Sequence, residues 1–325
     1  MDAFAEGTPC WVDVSLPDLE AGKRFYGELF GWTFGRARGM DDGHYTVAFS
    51  GGRRVAGLIA KRDGRMPTVW TIYFATPDAD ALSVRIRAAG GQLVREPMAV
   101  GRFGVMALAA DPAGAVFGLW QTGGDLGFEK TGLPGSFCWT EVYTRDKERV
   151  DPFYERVFGF RGKDLPGSGV DFRLWSPAGS APGTERESAI GGRSVITDAF
   201  PAELPGHFLS YFSVEDCDET AATVVRLGGR VTAPPFDIDY GRMAGLLDNQ
   251  GAYFAVLAEP KREPGRAPEP GAGAAVDTAA GAATGGESGA REAGESGESG
   301  EAGEAAGEGA VAEPAPGREA EPEST

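Results

Sequence analysis

Cys10-Trp11-Val12-Asp13-Val14 returns as Cys138-Trp139-Thr140-Glu141-Val142, and Phe25-Tyr26-Gly27-Glu28-Leu29-Phe30-Gly31 returns as Phe153-Tyr154-Glu155-Arg156-Val157-Phe158-Gly159, both 128 residues further on. Self-similarity at a fixed offset marks a duplicated structural unit. Later matches sit at 137 or 138: Tyr73-Phe74 with Asp78 against Tyr211-Phe212 with Asp216, Gly90-Gly91 against Gly228-Gly229, and Asp111 with Gly114 against Asp248 with Gly251. The second copy therefore holds about ten extra residues, placed most simply in the Pro/Gly/Ser-rich stretch Ser176 to Thr184. The Gly-rich run Gln121 to Ser136 reads as the linker between copies. The boundaries predicted are 1–124, 125–260 and a tail, 261–325.

Each copy divides again. Cys10 to Leu16 alternates as a strand, Pro17-Asp18 supplies a helix cap, and Leu19 to Phe30 carries apolar residues at helical spacing until Gly31 stops it. Strands are expected near Trp32 to Ala37, Tyr45 to Phe49 and Val55 to Ala60. The order then repeats, with Val69 to Ala75 as strand, Asp78 as cap, Ala79 to Ala89 as helix, and strands near Gln92 to Arg95, Val105 to Ala109 and Val116 to Gln121. That is a βαβββ module twice per copy, an α+β fold.

Composition bounds what such a fold does. Of the formal net charge of −17, the segment from Lys261 to Thr325 carries −9, and a body and tail that are both acidic repel phosphate backbones, so no nucleic acid is expected as partner. The tail is almost wholly Gly, Ala, Glu, Pro and Ser without an aromatic residue, the composition of a disordered segment. The apolar runs are strand-sized and the first residues lack a signal-peptide pattern, which predicts no membrane span and a cytoplasmic protein. Cys10, Cys138 and Cys217 form no CxxC pair and read as small core residues. His44 and His207, in different copies, read as surface or structural, and Met106 and Met243, which match between copies, point either into the core, the preferred reading, or into the cleft. No Gly-x-Ser-x-Gly elbow and no phosphate-cradling Gly-rich loop ahead of a helix is present.

The order strand, xx-Asp, helix ending Phe-Tyr-xx-x-Phe-Gly-Trp and a closing Asp-Pro-x-Gly-x-x-Phe strand resembles the vicinal oxygen chelate superfamily, which includes glyoxalases, bleomycin-resistance proteins and extradiol dioxygenases. The likeness covers nearly all of residues 8 to 258. Paired copies with Cys-Trp openings look like the two-domain actinobacterial glyoxalase-like proteins often labelled hydroxylases. The resemblance implies tandem domains, each of two βαβββ modules forming a half-barrel cleft. It also implies metal ligands on the first strand of each module, seven residues before the helix-opening Asp, and a Glu on the last strand. Here those first-strand positions are Trp11, Thr71, Trp139 and Leu209, the last-strand positions are Gly118 and Ala255, and the corresponding strand earlier in each copy reads Ala56-Gly57-Leu58 and Ile190-Gly191-Gly192. None is a usual ligand, so no metal and no cofactor are expected.

Strand alternation indicates what stands there instead. Cys10, Val12, Val14 and Leu16 form an apolar face to pack beneath the helix, as do Cys138 and Val142 in copy two; Trp11, Asp13 and Ser15 share the opposite, cleft-lining face. The same count puts Tyr73, Trp139 with Glu141 and Tyr143, and Tyr211 in equivalent places. Each cleft is then expected to hold one carboxylate and one phenol, Asp13 with Tyr73 and Glu141 with Tyr211, in symmetrical fashion. Aromatic walls around one carboxylate suit a flat or cationic small organic molecule; a carboxylate desolvated beside rings also serves as a general base; and either acid can simply hold the cleft in shape. Two functions stay open: metal-free, bleomycin-resistance-like sequestration of a small molecule by a monomer with pseudo-dimeric domains, and a glyoxalase-like or hydroxylase-like enzyme using Asp13 or Glu141 as acid/base. The tail generates a separate expectation. Removing everything after Pro260 should leave the melting temperature unchanged, because Gly/Glu/Ala sequence buries almost nothing; a fall of several degrees in a thermal scan would show that it docks.

Overall fold

The computed structural model describes residues 4–36, 44–124, 127–165, 170–181, 183–184, 187–198 and 200–260; the tail 261–325, expected to be disordered, lies outside the described residues. Copy one runs β1 (Pro9–Leu16), α1 (Leu19–Phe30), β2 (Thr33–Gly35), β3 (Tyr45–Ser50), β4 (Arg53–Ala60), β5 (Trp70–Ala75), α2 (Ala79–Ala88), β6 (Gln92–Val100), β7 (Gly104–Ala110) and β8 (Val116–Thr122). Copy two repeats it as β9 (Ser136–Thr144), α3 (Lys147–Phe158), β10 (Arg161–Asp164), β11 (Phe172–Ser176), β12 (Gly191–Val195), β13 (His207–Ser213), α4 (Cys217–Arg226), β14 (Arg230–Ile238), β15 (Gly241–Leu247) and β16 (Tyr253–Ala258). The strands form two eight-stranded sheets, ordered β2-β3-β4-β1-β5-β8-β7-β6 and β10-β11-β12-β9-β13-β16-β15-β14. Four βαβββ modules in tandem, two per half-barrel, are thus what the repeats predicted.

The local signals act as expected. Asp18 caps α1 by accepting from the Ala21 N–H at 2.9 Å, and Asp78, Asp146 and Asp216 cap α2, α3 and α4 in the same way. Gly31 and Gly159 end α1 and α3 at φ 67° and 69°, left-handed backbone that a side chain resists. The extra length of copy two falls mostly where predicted: two residues, Gly51 and Gly52, separate β3 from β4, whereas residues 177–190 separate β11 from β12. One strand is longer than the sequence suggested. β6 continues past Arg95 to Val100 because two register shifts carry the ladder across Pro97 at the sheet edge.

The apolar face of β1, Cys10, Val12, Val14 and Leu16, is fully buried. It belongs to a single core shared by both copies, since the convex faces pack against each other with β5 facing β13, α1 beside α4 and α2 beside α3. The aromatic contacts come in matched sets: Phe212 meets Phe30 at 5.3 Å and Trp70 at 4.8 Å, while Phe74 meets Phe158 at 5.2 Å and Phe208 at 5.8 Å. Cys138 departs from expectation. Phe137 joins the shared core, and Cys138 is half-buried against the second cleft instead of beneath the helix, although the ladder shifts register there just as it does at the buried Cys10. The linker is also packed, with Phe128 buried against Phe137 and Glu129 paired with Arg54 at 2.9 Å.

Two polar bonds cross that apolar core. The Tyr26 hydroxyl donates to Asp248 Oδ2 at 2.8 Å and the Tyr154 hydroxyl donates to Asp111 Oδ2 at 3.1 Å, each from a helix of one copy to the closing turn of the other. The other oxygen of each acid holds its own turn, Asp248 Oδ1 accepting from Gln250 and Ala252 and Asp111 Oδ1 from Ala113 and Ala115. Tyr26→Phe and Tyr154→Phe should each cost about 1–3 kcal/mol, the penalty for stranding a buried acceptor. Urea unfolding of both variants checks this, and a loss confined to one of them would contradict the pseudo-symmetry.

Candidate functional site

The strand face opposite the core carries the predicted residues. Trp11, Asp13, Ser15, Thr71 and Tyr73 line a cavity of about 600 Å³ on the concave side of the first sheet. Register explains their meeting: Trp11 lies opposite Tyr73 and Asp13 opposite Thr71 across the β1–β5 ladder. Tyr45, Met98, Met106, Trp120, Lys61, Arg62, Arg95 and His44 complete the wall and mouth. Apart from Met106, for which the cleft was the lesser alternative, none of these had been assigned to the cleft. Alternation along β8 from Gly118 would have found Trp120, whereas Lys61 and Arg62 stand in a loop that no periodicity marks. Met106 and Met243 both turn from the expected core toward the clefts.

The polar centre of this cavity is loosely satisfied. Tyr73 donates to Asp13 Oδ1 at 3.4 Å, the long end of a hydrogen bond, and the Trp11 indole N–H donates to the Tyr45 hydroxyl at 2.6 Å. Burial pushes the Asp13 carboxyl up to about 7, against the lowering effect of Tyr73. Among the described residues Asp13 is the one carboxylate in the lining, against the cations Lys61, Arg62 and Arg95. The balance counts against the cationic ligand that the carboxylate alone suggested.

The second cleft brings Trp139, Glu141, Tyr143 and Tyr211 together as predicted, yet closes on itself. Glu141 accepts from the Trp139 indole at 3.0 Å on one oxygen and from Tyr211 at 2.9 Å on the other. Tyr143 lies 3.4 Å from the Tyr211 hydroxyl and stacks on His207 with ring centroids 5.3 Å apart. Leu209, Met243 and Ile196 pack around them in one buried cluster. The expected symmetry of the two clefts therefore fails, for steric reasons. Tyr143 fills the strand position held by Ser15 in copy one, and Phe172, which replaces Tyr45, offers Trp139 no hydroxyl, so the indole turns to the longer acid Glu141.

The donors for a family metal do not fit. A Cβ at Gly57 would meet the Tyr45 hydroxyl at 2.1 Å and one at Gly118 would meet the Tyr73 ring at 2.1 Å, so aromatic side chains stand where last-strand carboxylates would project. Among the described residues no group of three or more His, Cys, Asp or Glu is placed to hold an ion. A larger hollow of about 800 Å³ lies beside α3, but its charges are committed to each other: buried Arg193 pairs with Asp151 at 3.0 Å and Asp171 at 2.7 Å, and Arg173 with Glu155 at 2.8 Å. Among the described residues no helix is long and apolar enough to cross a membrane.

The raised Asp13 carboxyl has a consequence for stability. Its folded pKa of about 7 exceeds the ordinary 3.8, so the native state binds the extra proton between those values and stability falls as pH rises through that window. The stability of Asp13→Asn relative to the parent should rise between pH 5 and pH 8 in urea unfolding, because the parent goes on losing stability until about pH 7; equal differences at both pH values would place the carboxyl in water.

The sequence profile of the Glyoxalase/Bleomycin resistance protein/Dioxygenase superfamily matches residues 11–119 and 137–256. Anthracycline biosynthesis protein DauV of Streptomyces sp. (strain C5) is 38% identical over 271 residues, covering 79% of this chain and 95% of the relative. Anthracycline biosynthesis protein DnrV of Streptomyces peucetius is 37% identical with the same coverage. Among solved structures, the Mn(II)-bound glyoxalase from Novosphingobium aromaticivorans superposes with a TM-score of 0.55 at 17% identity, covering 79% of this chain and 84% of that one, a likeness of fold. Two profile matches, one on each half-barrel, and relatives aligned over nearly their whole length make this chain a two-domain member of the glyoxalase, bleomycin-resistance and dioxygenase superfamily.

Proposed function

We propose that the protein binds one flat aromatic small molecule per chain, in the N-terminal cleft and without a metal, acting by sequestration or presentation. The open cavity of about 600 Å³ walled by Trp11, Tyr45, Tyr73, Met98, Met106 and Trp120 carries this reading. Rings and thioethers lining one cavity suit the faces of a planar ligand, and a volume of this order accommodates several fused rings. The relatives named for anthracycline biosynthesis support a polycyclic aromatic class of ligand. The second half-barrel serves as scaffold, its cleft taken up by Tyr143 and His207, and it gives the monomer the packing partner that a second subunit would otherwise supply. A second reading, an enzyme with Asp13 as acid/base, is favoured by one observation: a carboxyl at about 7 facing the cavity is matched to proton transfer near neutrality.

Titration calorimetry with hydroxyanthraquinones, on protein treated with chelator, separates these outcomes. We expect a stoichiometry of one, unchanged by chelator, and about two- to tenfold weaker binding for Trp11→Ala, the range of one lost aromatic contact. Binding that needs added metal, or that survives Trp11→Ala and is lost with Trp139→Ala, would move the site to the other cleft or to another chemistry.

A further inference from the structure

The two copies provide an internal comparison for what the open cleft recognises. In the closed cleft both oxygens of Glu141 are held, at 3.0 and 2.9 Å. In the open one, Asp13 Oδ1 receives one long bond from Tyr73 at 3.4 Å, and its second oxygen takes no hydrogen bond from a described residue while the side chain lines the cavity. Beside it, the Tyr45 hydroxyl stands over Gly57, as does the Asp13 Cβ. That hydroxyl already accepts from Trp11, so its own proton is free to point elsewhere. The site thus presents one proton acceptor flanked by two phenolic donors, beneath a mouth carrying Lys61, Arg62 and Arg95.

Resting on the reading of this cleft as an aromatic site, we propose that its ligand is an acidic phenol or enol whose O–H proton passes to Asp13, the resulting oxyanion being held by the Tyr45 and Tyr73 hydroxyls. The balance is simple: the ligand O–H breaks, an Asp13 O–H forms, and net charge moves from the acid to the ligand. Once protonated, Asp13 is a weaker acceptor, which frees Tyr73 to turn its donor to the oxyanion, an arrangement of preorganised donors around developing charge. The groups facing Asp13 agree with this. β3 offers Tyr45, β4 offers Gly57 and Ile59, β5 offers Thr71 and Tyr73, and the charged groups further out, His44, Lys61, Arg62 and Arg95, all favour an anion when charged. A carboxyl raised to about 7 by burial has the affinity to receive the proton.

The test uses the full chain with 7-hydroxycoumarin near pH 7, where this phenol is mostly neutral in solution and its absorption band shifts on ionisation, and 7-methoxycoumarin as the ether that has no proton to give. The expected result is the anion band in the bound state, at least tenfold weaker binding of the phenol to Asp13→Asn with the neutral band retained, and a smaller loss for the ether than for the phenol. A neutral band in the parent protein, or equal affinity of parent and Asp13→Asn for the phenol, overturns the proposal while leaving the aromatic site intact. If neither coumarin binds the parent protein, the aromatic site itself fails and the proposal with it.

Discussion

Two hydrogen bonds, Tyr26 to Asp248 and Tyr154 to Asp111, tie the half-barrels into one body. Each sits in a core otherwise lined by Phe30, Trp70, Phe74, Phe158 and Phe212, where an unpaired hydroxyl or carboxylate costs far more than a paired one returns. This asymmetry fixes the relation of the copies. Any slippage of one sheet over the other would strand two phenols and two acids at once. Each acid also organises its own turn through its second oxygen, so the closing turn of one copy and the first helix of the other are set by a single side chain. With the convex faces committed in this way, the concave faces are the ones left to vary.

They have varied by small steps with large effects. Asp13 and Glu141 differ by one methylene, Ser15 and Tyr143 by a ring, Tyr45 and Phe172 by a hydroxyl. Together these decide whether the indole of the first strand bonds a tyrosine or the carboxylate, and whether the middle of the cleft is space or side chain. A closed cleft whose polar groups satisfy one another gains the rigidity of a second core, whereas the open cleft retains a desolvated acid and bare ring faces.

The sequence made the fold legible because duplication wrote every signal twice or four times: Asp caps at Asp18, Asp78, Asp146 and Asp216, glycine stops at Gly31 and Gly159, and alternating first strands. Placement of the predicted cleft residues on one face followed from period-two alternation alone. Cys138 was misassigned although β1 and β9 shift register at the same point and Cys10 is fully buried, so neither the pattern nor the residue type announces the difference. The difference between the clefts was hidden for another reason. Tyr143 was read as a ligand contact, and only the three-dimensional neighbours Tyr211 and His207 show that it plugs the cleft. Likewise Lys61, Arg62 and Arg95 reach the mouth from a loop and an edge strand, so the charge of the site could not be counted from the first strands.

The missing family ligands and the present cavity share one cause. Gly57 and Gly118 are the positions beneath which last-strand carboxylates would begin, and the rings of Tyr45 and Tyr73 lie directly over them. A glutamate at either place would have to expel a tyrosine, and with it a donor to Asp13 or the hydroxyl that receives Trp11. The glycines are therefore needed by the aromatic lining itself. Restoring carboxylate ligands there would dismantle the walls that define the cavity, so at these strand positions a carboxylate and the aromatic lining exclude each other.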